Sequence, residues 1–338
     1  MTSIGLDHLF AAILPSAAAD PDRPLYAVLP VPKHEDYFIG RDGEGRACLL
    51  IAAGDNHSRL HPPIRLENLD VQFALRCHLR KNNEPERDGT FTVVCCRLPD
   101  PEIVRYFLSV CETILHLAGT RPAEHDIAEA VNRLAAIFQR MQRPPSRPVN
   151  GLFGELYLLW RSANPARAIA AWRGDDSARF DFSDGDIRVD VKVASGKVRV
   201  HTFSYEQCNP PPGTIAVVGS LFAERASGGM ALRSIFDYIE ARVATKPDLV
   251  FKLHEVVAAT LGTSLNDALS TRFDIKLADS SLRFFSLNEI PAIHGPLPAG
   301  VTDVHFRSDL STASSVSAER LIDLDPVFWD LLPQPDGV

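Results

Sequence analysis

The sequence predicts an α/β protein in two parts, a mainly antiparallel α+β domain over residues 1–143 and a mixed sheet flanked by helices over 144–338. Three observations predict it. Short runs of strand-forming residues recur between residues 37 and 96, broken by polar turns such as Arg41-Asp42-Gly43, as in an antiparallel unit with one wet side. Two stripes of helical period follow, one on each side of Gly119. Beyond Asn150 come a helical stripe, a hairpin pattern and the nearly continuous apolar run Thr214–Phe222, which fits a central strand covered on both faces.

Composition narrows the classes. With 338 residues and 45% apolar content the chain can bury substantial cores, and 23% charged residues is ordinary for a globular protein. The net charge of −8 argues against a protein that coats DNA nonspecifically, which would need a broad basic surface. No apolar run reaches membrane-spanning length. The N-terminus lacks a basic leader and carries Asp7 early, so it reads as a first helix and not as a signal peptide. Six cysteines sit at no zinc-ligand spacing, and free thiols in a reducing cytoplasm are expected.

In chain order, residues 1–20 predict a helix and Pro21–Pro32 a proline-broken connection. Tyr37–Ile39, Ala47–Ala52, Val71–Leu79 and Thr90–Cys96 read as strands. His57, His61 and His78 fall here without an acid or cysteine at ligand spacing, so surface or turn positions are expected for them. Asp100-Pro101 starts a helix, with Asp as N-cap and Pro at the first helical position. Its stripe is Ile103, Phe107, Val110, Cys111, Ile114 and Leu115, and Gly119 ends it. A second helix opens near Pro122, buries Ile127, Val131, Leu134, Phe138 and Met141, and stops before Pro144-Pro145. The basic, proline-rich Arg140–Pro148 reads as an interdomain linker with solvated charge. After Asn150, a plausible cap, a helix buries Leu152, Leu156, Leu159 and Trp160 and leaves Glu155 at the margin of that stripe.

Next comes Arg179–Val193, RFDFSDGDIRVDVKV, in which two alternating runs flank Asp184-Gly185. Alternation on both sides of Asp-Gly is the strongest short-range hairpin signal. A turn at Asp184-Gly185 pairs Phe182 with Ile187, Asp181 with Arg188 and Arg179 with Asp190. Phe180, Phe182, Ile187, Val189, Val191 and Val193 then face a core, while Asp181, Arg188, Asp190 and Lys192 share the other face. On a solvated face each acid would simply pair with an arginine. Alternatively two close acids repel, and a divalent cation such as Mg2+ or Mn2+ relieves the repulsion by taking both as oxygen ligands.

Past the hairpin, alternation places Lys197, Arg199 and His201 on one side, and with Lys192 they form a candidate phosphate-binding strip. Ser204-Tyr205-Glu206-Gln207 fits a capping box. Ala231–Val243 and Asp248–Leu261 read as helices, Leu282–Leu287 and Val304–Arg307 as strands, and Pro326–Leu332 as a short helix. His254-Glu255 lacks the second histidine of a zinc protease. No Walker A, GxGxxG or GxSxG motif occurs either.

The pattern resembles the PD-(D/E)XK nuclease superfamily, in which one strand carries Asp, the next carries Asp/Glu-x-Lys, and a preceding helix often carries Glu. Here these are Asp181, Asp190-Val191-Lys192 and Glu155 within Gly151–Leu156. Together with Trp172-Arg173-Gly174, Phe180-Asp181-Phe182 and His201…Gln207, they resemble one bacterial family of this superfamily, encoded beside restriction-modification and phage-defence genes. Two departures stand out: Phe180 replaces the Pro of the superfamily name, and Asp190 stands where many relatives have Glu. The resemblance implies an αβββαβ core and metal-dependent hydrolysis of DNA in the cytoplasm. It implies Asp181, Asp190, the Val191 carbonyl and Glu155 around magnesium or manganese, Lys192 stabilising the developing negative charge or positioning the attacking water, and Gln207 near the site on DNA. The alternative is a non-catalytic subunit that holds DNA or a protein partner in a defence complex. Action on RNA stays open, because nothing reads a 2′-hydroxyl.

Overall fold

Residues 5–14, 24–52, 61–81, 86–175, 177–196 and 198–333 are described in the computed structural model. The chain divides into two compact units, 1–143 with 244–258, and 144–243 with 259–338. The second stretch of the first unit interrupts the sequence of the second.

In the first unit, α1 (Leu6–Ala11) precedes the strands β1 (Leu25–Val31), β2 (His34–Arg41), β3 (Ala47–Ala52), β4 (Ile64–Arg65), β5 (Leu69–Lys81) and β6 (Arg87–Cys96). Their order is β1-β2-β3-β6-β5-β4, and β1 also pairs in parallel with β5, so the sheet closes on itself. Tyr26, Val28, Phe38, Leu50, Leu79 and Val93 pack together in its core. The proline-broken connection expected before residue 32 is therefore in large part a strand: Pro30 sits at an irregularity of the β1–β2 ladder, where a missing N–H is tolerated. Then come α2 (Pro101–Ala118) and α3 (Glu124–Arg140). Asp100 caps α2 as the sequence predicts, with Oδ1 accepting from the N–H groups of Glu102 and Ile103.

One expectation about side chains in this unit changes. Cys48 and Cys95 face each other across β3 and β6 with Cα atoms 4.2 Å apart, and they form a disulfide. Cys77, Cys96, Cys111 and Cys208 are free and buried. His78 pairs with Asp88 and His61 lies 3.8 Å from Glu124, while His57 lies outside the described residues.

The second unit is a mixed α/β structure. Its elements are α4 (Val149–Arg161), α5 (Pro165–Ala171), β7 (Phe182–Asp184), β8 (Ile187–Ala194), β9 (Val200–Ser204), α6 (Tyr205–Cys208), β10 (Ile215–Phe222), β11 (Arg225–Ala231) and α7 (Leu232–Val243). After α8 (Pro247–Leu261), most of which counts with the first unit, come α9 (Leu265–Ser270), β12 (Arg272–Phe273), α10 (Ile275–Ser281), β13 (Arg283–Ser286), β14 (His305–Asp309), α11 (Ala318–Leu324) and α12 (Val327–Leu331). The central sheet runs β13-β10-β8-β7, with β10 parallel to β8 and antiparallel to β13. Strand β9 stands outside it and pairs with β14. Among the described residues no helix is long and apolar enough to cross a membrane.

The hairpin β7–β8 forms, but with a different turn. Asp184 pairs with Ile187, Ser183 with Arg188 and Phe182 with Val189, leaving Gly185-Asp186 as the loop. Gly185 has φ +53°, and glycine first in a two-residue loop is the preference of a type II′ turn. The ladder has slipped by two residues from the predicted register. An even slip keeps the paired side chains Phe182, Ile187 and Val189 on their predicted face, whereas Phe180, which precedes the ladder, packs with Phe203, Cys208 and Val218 instead.

Candidate functional site

Helix α4 lies close on β8 because Gly154 permits it. A Cβ on Gly154 would come within 2.5 Å of Val193 Cγ2 and 2.9 Å of Val191 Cγ1. Gly154→Ala is expected to cost about 1–3 kcal/mol by forcing these elements apart. Urea unfolding checks this, and a cost near zero would mean α4 is free to shift. The close approach carries Glu155, the next residue, inside the protein at 2% exposure.

There Glu155 is held by the segment after α5. Trp172 bridges to Phe182, and the Arg173 N–H donates to the Asp181 carbonyl, which places both residues beside the hairpin. Trp172 Nε1 donates to Glu155 Oε2 at 2.6 Å and Arg173 Nε to the same oxygen at 2.9 Å, while Arg173 Nη2 donates to Thr260 Oγ1. Arg147 Nη1 lies 3.5 Å from Glu155 Oε1 and 2.9 Å from Asp181 Oδ1. Glu155 is thus not a snorkelling surface acid. Burial pushes its pKa up to about 7, helped by the Asp181 charge and opposed by Arg173 and Arg147.

Asp181 (4% exposed) and Asp190 (3% exposed) meet on the same face of the hairpin, as the alternation predicts. With the observed register, Asp181 follows the Phe182–Val189 pair and so comes level with Asp190, not with Arg188. Neither acid takes the arginine partner expected on a solvated face. Asp181 Oδ2 accepts the Val191 N–H at 2.8 Å, and Oδ1 accepts from Arg147. Asp190 Oδ1 accepts from Gln207 Nε2 at 3.1 Å, and its Oδ2 lies 2.8 Å from Lys192 Nζ. Burial pushes the Asp190 pKa up to about 6, Lys192 opposing and Asp181 adding to the rise. For Lys192, burial disfavours the ammonium, but the Asp190 carboxylate more than offsets this, so its pKa rises.

A cleft of about 340 Å³ opens onto these groups, lined by Arg147, Gly151, Glu155, Arg179, Asp181, Asp190, Val191, Lys192, Gln207 and His305, among others. It brings together Glu155, Asp181, Asp190, Val191, Lys192 and Gln207 of the predicted site residues. Of the predicted phosphate strip, Lys192 lines the cleft, and Arg199 and His201 are not among its lining residues. Arg199 and His201 do share a side, but that side turns inward. His201 is buried with Nε2 on Ser220 Oγ, and burial with the Lys192 and Arg199 charges pushes its pKa down to about 4. Arg199 donates to Ser220 and to the Ser281 carbonyl. Ser220, wholly buried on β10, needs such partners. Lys197 lies outside the described residues. Gln207 donates to Asp190 and to the Arg179 carbonyl from within its capping box, so it braces the acid.

The residues that sequence reasoning missed are Arg147, Trp172 and Arg173 in their roles as partners of the acids. For Trp172 and Arg173 the signal was their place in a motif that carries the resemblance; for Arg147 it was position alone, three residues before the expected helix cap.

The donor set suits a hard divalent cation, being carboxylate oxygens of which Glu155 and Asp190 have pKa values raised mainly by burial, with the Asp181 charge adding to the rise. The carboxylates are not drawn onto one point. Among the described residues, the group of three ligand atoms within 4.8 Å of one another is Asp42, Cys48 and Cys95, two of which share the disulfide. Around the cleft, protein cations stand beside the acids instead.

Residues 16–311 match the family described as "Putative PD-(D/E)XK family member, (DUF4420)". The chain belongs to this family. PD-(D/E)XK proteins are usually nucleases, and the mixed sheet with flanking helices is consistent with their fold. Searches of curated proteins and of solved structures gave no match.

Proposed function

We propose that this DUF4420 protein is a metal-dependent endonuclease that hydrolyses phosphodiester bonds of DNA, acting in a bacterial restriction or phage-defence system. The observation that carries this reading is the meeting of Glu155, Asp181, Asp190 and Lys192 in one cleft. In it, α4, the β7–β8 hairpin and β10 form the nuclease core, within a catalytic domain over 144–338. Asp181, Asp190 and the Val191 carbonyl hold Mg2+ or Mn2+, with Glu155 supporting a second position. When bound, such an ion acidifies a coordinated water and neutralises charge on the phosphate. Lys192 keeps its proton beside Asp190 and donates to the negative charge that develops on the phosphoryl oxygens. Gln207 fixes Asp190, while Trp172 and Arg173 fix Glu155. Exposed Arg179 and His305 at the cleft are placed to meet the DNA backbone.

Calorimetric titration with magnesium, wild type against Asp181→Asn, tests the reading. Binding by wild type and its loss in the variant are expected. Equal heats favour the other reading, a scaffold that holds DNA or a protein partner. The observation behind that reading is that Arg147, Arg173 and Lys192 already stand beside the three acids.

A further inference from the structure

Arg147 differs from Arg173, the other arginine on Glu155, in how it is mounted. Its backbone is fixed on both sides: the Ser146 N–H donates to the Thr260 carbonyl, Ser146 Oγ donates to the Ala259 carbonyl, and Pro148 is the N-cap of α4. Its side chain is not enclosed. It is 27% exposed where that of Arg173 is 1% exposed, and it lines the cleft. Its Nη1 reaches both Asp181 Oδ1 and Glu155 Oε1. The second oxygen of Asp181 is taken by the Val191 N–H, so any cation drawn to Asp181 from the cleft competes with this guanidinium for Oδ1.

We propose that Arg147 is a latch on the site: it pairs with Asp181 and Glu155 until a divalent cation and a phosphodiester arrive together, then releases Asp181 and pairs with the phosphate. The proposal rests on the nuclease reading above. A tethered backbone with a half-open side chain suits a group that exchanges one anionic partner for another a few ångströms away. The guanidinium fork matches carboxylate and phosphate equally well. Competition for Asp181 keeps metal affinity low in the free protein. DNA, by engaging Arg147, raises that affinity, and metal raises the affinity for DNA by the same factor.

The test is titration with Mn2+ followed by calorimetry and by electron paramagnetic resonance, without DNA and with a phosphorothioate duplex that resists cleavage. Arg147→Ala is expected to bind Mn2+ roughly tenfold more tightly than wild type in the absence of DNA, and to lose most of the further gain on adding the duplex. Arg147→Lys, which keeps the charge without the fork, is expected to fall between the two. Equal or weaker Mn2+ binding by Arg147→Ala overturns the latch while leaving the metal site standing. No Mn2+ binding by wild type even with the duplex present overturns the latch and the nuclease reading together. Crystals of the wild type soaked in Mn2+ together with a phosphorothioate dinucleotide give a readout that needs no variant: Arg147 no longer within hydrogen-bond distance of Asp181 supports the latch, and an unbroken pair beside a bound ion and phosphorothioate overturns it.

Discussion

Lys192→Ala is expected to lower magnesium-dependent cleavage of DNA by roughly a hundred- to a thousandfold, the usual effect of removing one preorganised donor from a developing oxyanion. The ammonium is held 2.8 Å from Asp190 and 5.3 Å from the centre of the Phe203 ring, so its position is set before any phosphate enters. Metal affinity should survive, because Asp181, Asp190 and Glu155 are untouched and one competing cation is gone. The fold should survive too. Asp190 keeps its bond from Gln207 and, with its pKa already raised, takes up a proton when the lysine is absent. Plasmid cleavage, circular dichroism and Mn2+ titration on the same preparations read the three quantities separately. Equal cleavage by wild type and variant would point to a contaminating nuclease, and loss of activity together with the fold would make Lys192 a structural residue.

The hairpin shows why part of this site was legible and part was not. Period-2 alternation reports which residues share a face, and the slip from Asp184-Gly185 to Gly185-Asp186 left that intact because it was even. Alternation does not report what lies against the face. The solvated face is one of two readings for Asp181 and Asp190, yet both are buried, Asp181 by Arg147 and the Val191 N–H and Asp190 by Gln207 and Lys192. The same gap explains Arg199 and His201, which share a side that turns toward buried Ser220. Contacts that join distant positions leave no local trace. Arg147 pairs with Asp181 across 34 residues, and Cys48 with Cys95 across 47. The proline-rich run before α4 looked like a solvated linker because proline breaks periodicity, and periodicity was the signal being read. The caps at Asp100 and Ser204 fared better, since an Asp-Pro start or a Ser-x-x-Gln box is a contact between near neighbours, whereas Asn150 lies inside α4 and Pro148 takes the cap position.

The buried acids also set how stability responds to pH. Arg173→Ala is expected to destabilise the second unit by about 3–5 kcal/mol at pH 8 without divalent metal, because it leaves a buried carboxylate short of its main cation. The loss should be smaller at pH 5. Glu155 has a folded pKa raised to about 7 from an ordinary 4.5, and Asp190 one raised to about 6 from 3.8. A carboxyl whose pKa rises on folding binds its proton more tightly in the folded state. Its contribution is therefore fully present below the unfolded value and is lost as pH climbs through the folded one. For Glu155 that window runs from about pH 4.5 to about pH 7, and for Asp190 from about pH 4 to about pH 6. Wild-type protein in chelator should thus lose stability across this range, and Glu155→Gln, which has no proton to lose, should flatten the upper part of the curve. Removing Arg173 takes away a charge and hydrogen bonds that favour ionised Glu155, so the folded pKa climbs further and the cost of the variant grows with pH. Urea unfolding at pH 5 and pH 8 measures the difference. An equal cost at both would mean that Arg173 acts through Thr260 and its packing alone, and not through the charge of Glu155.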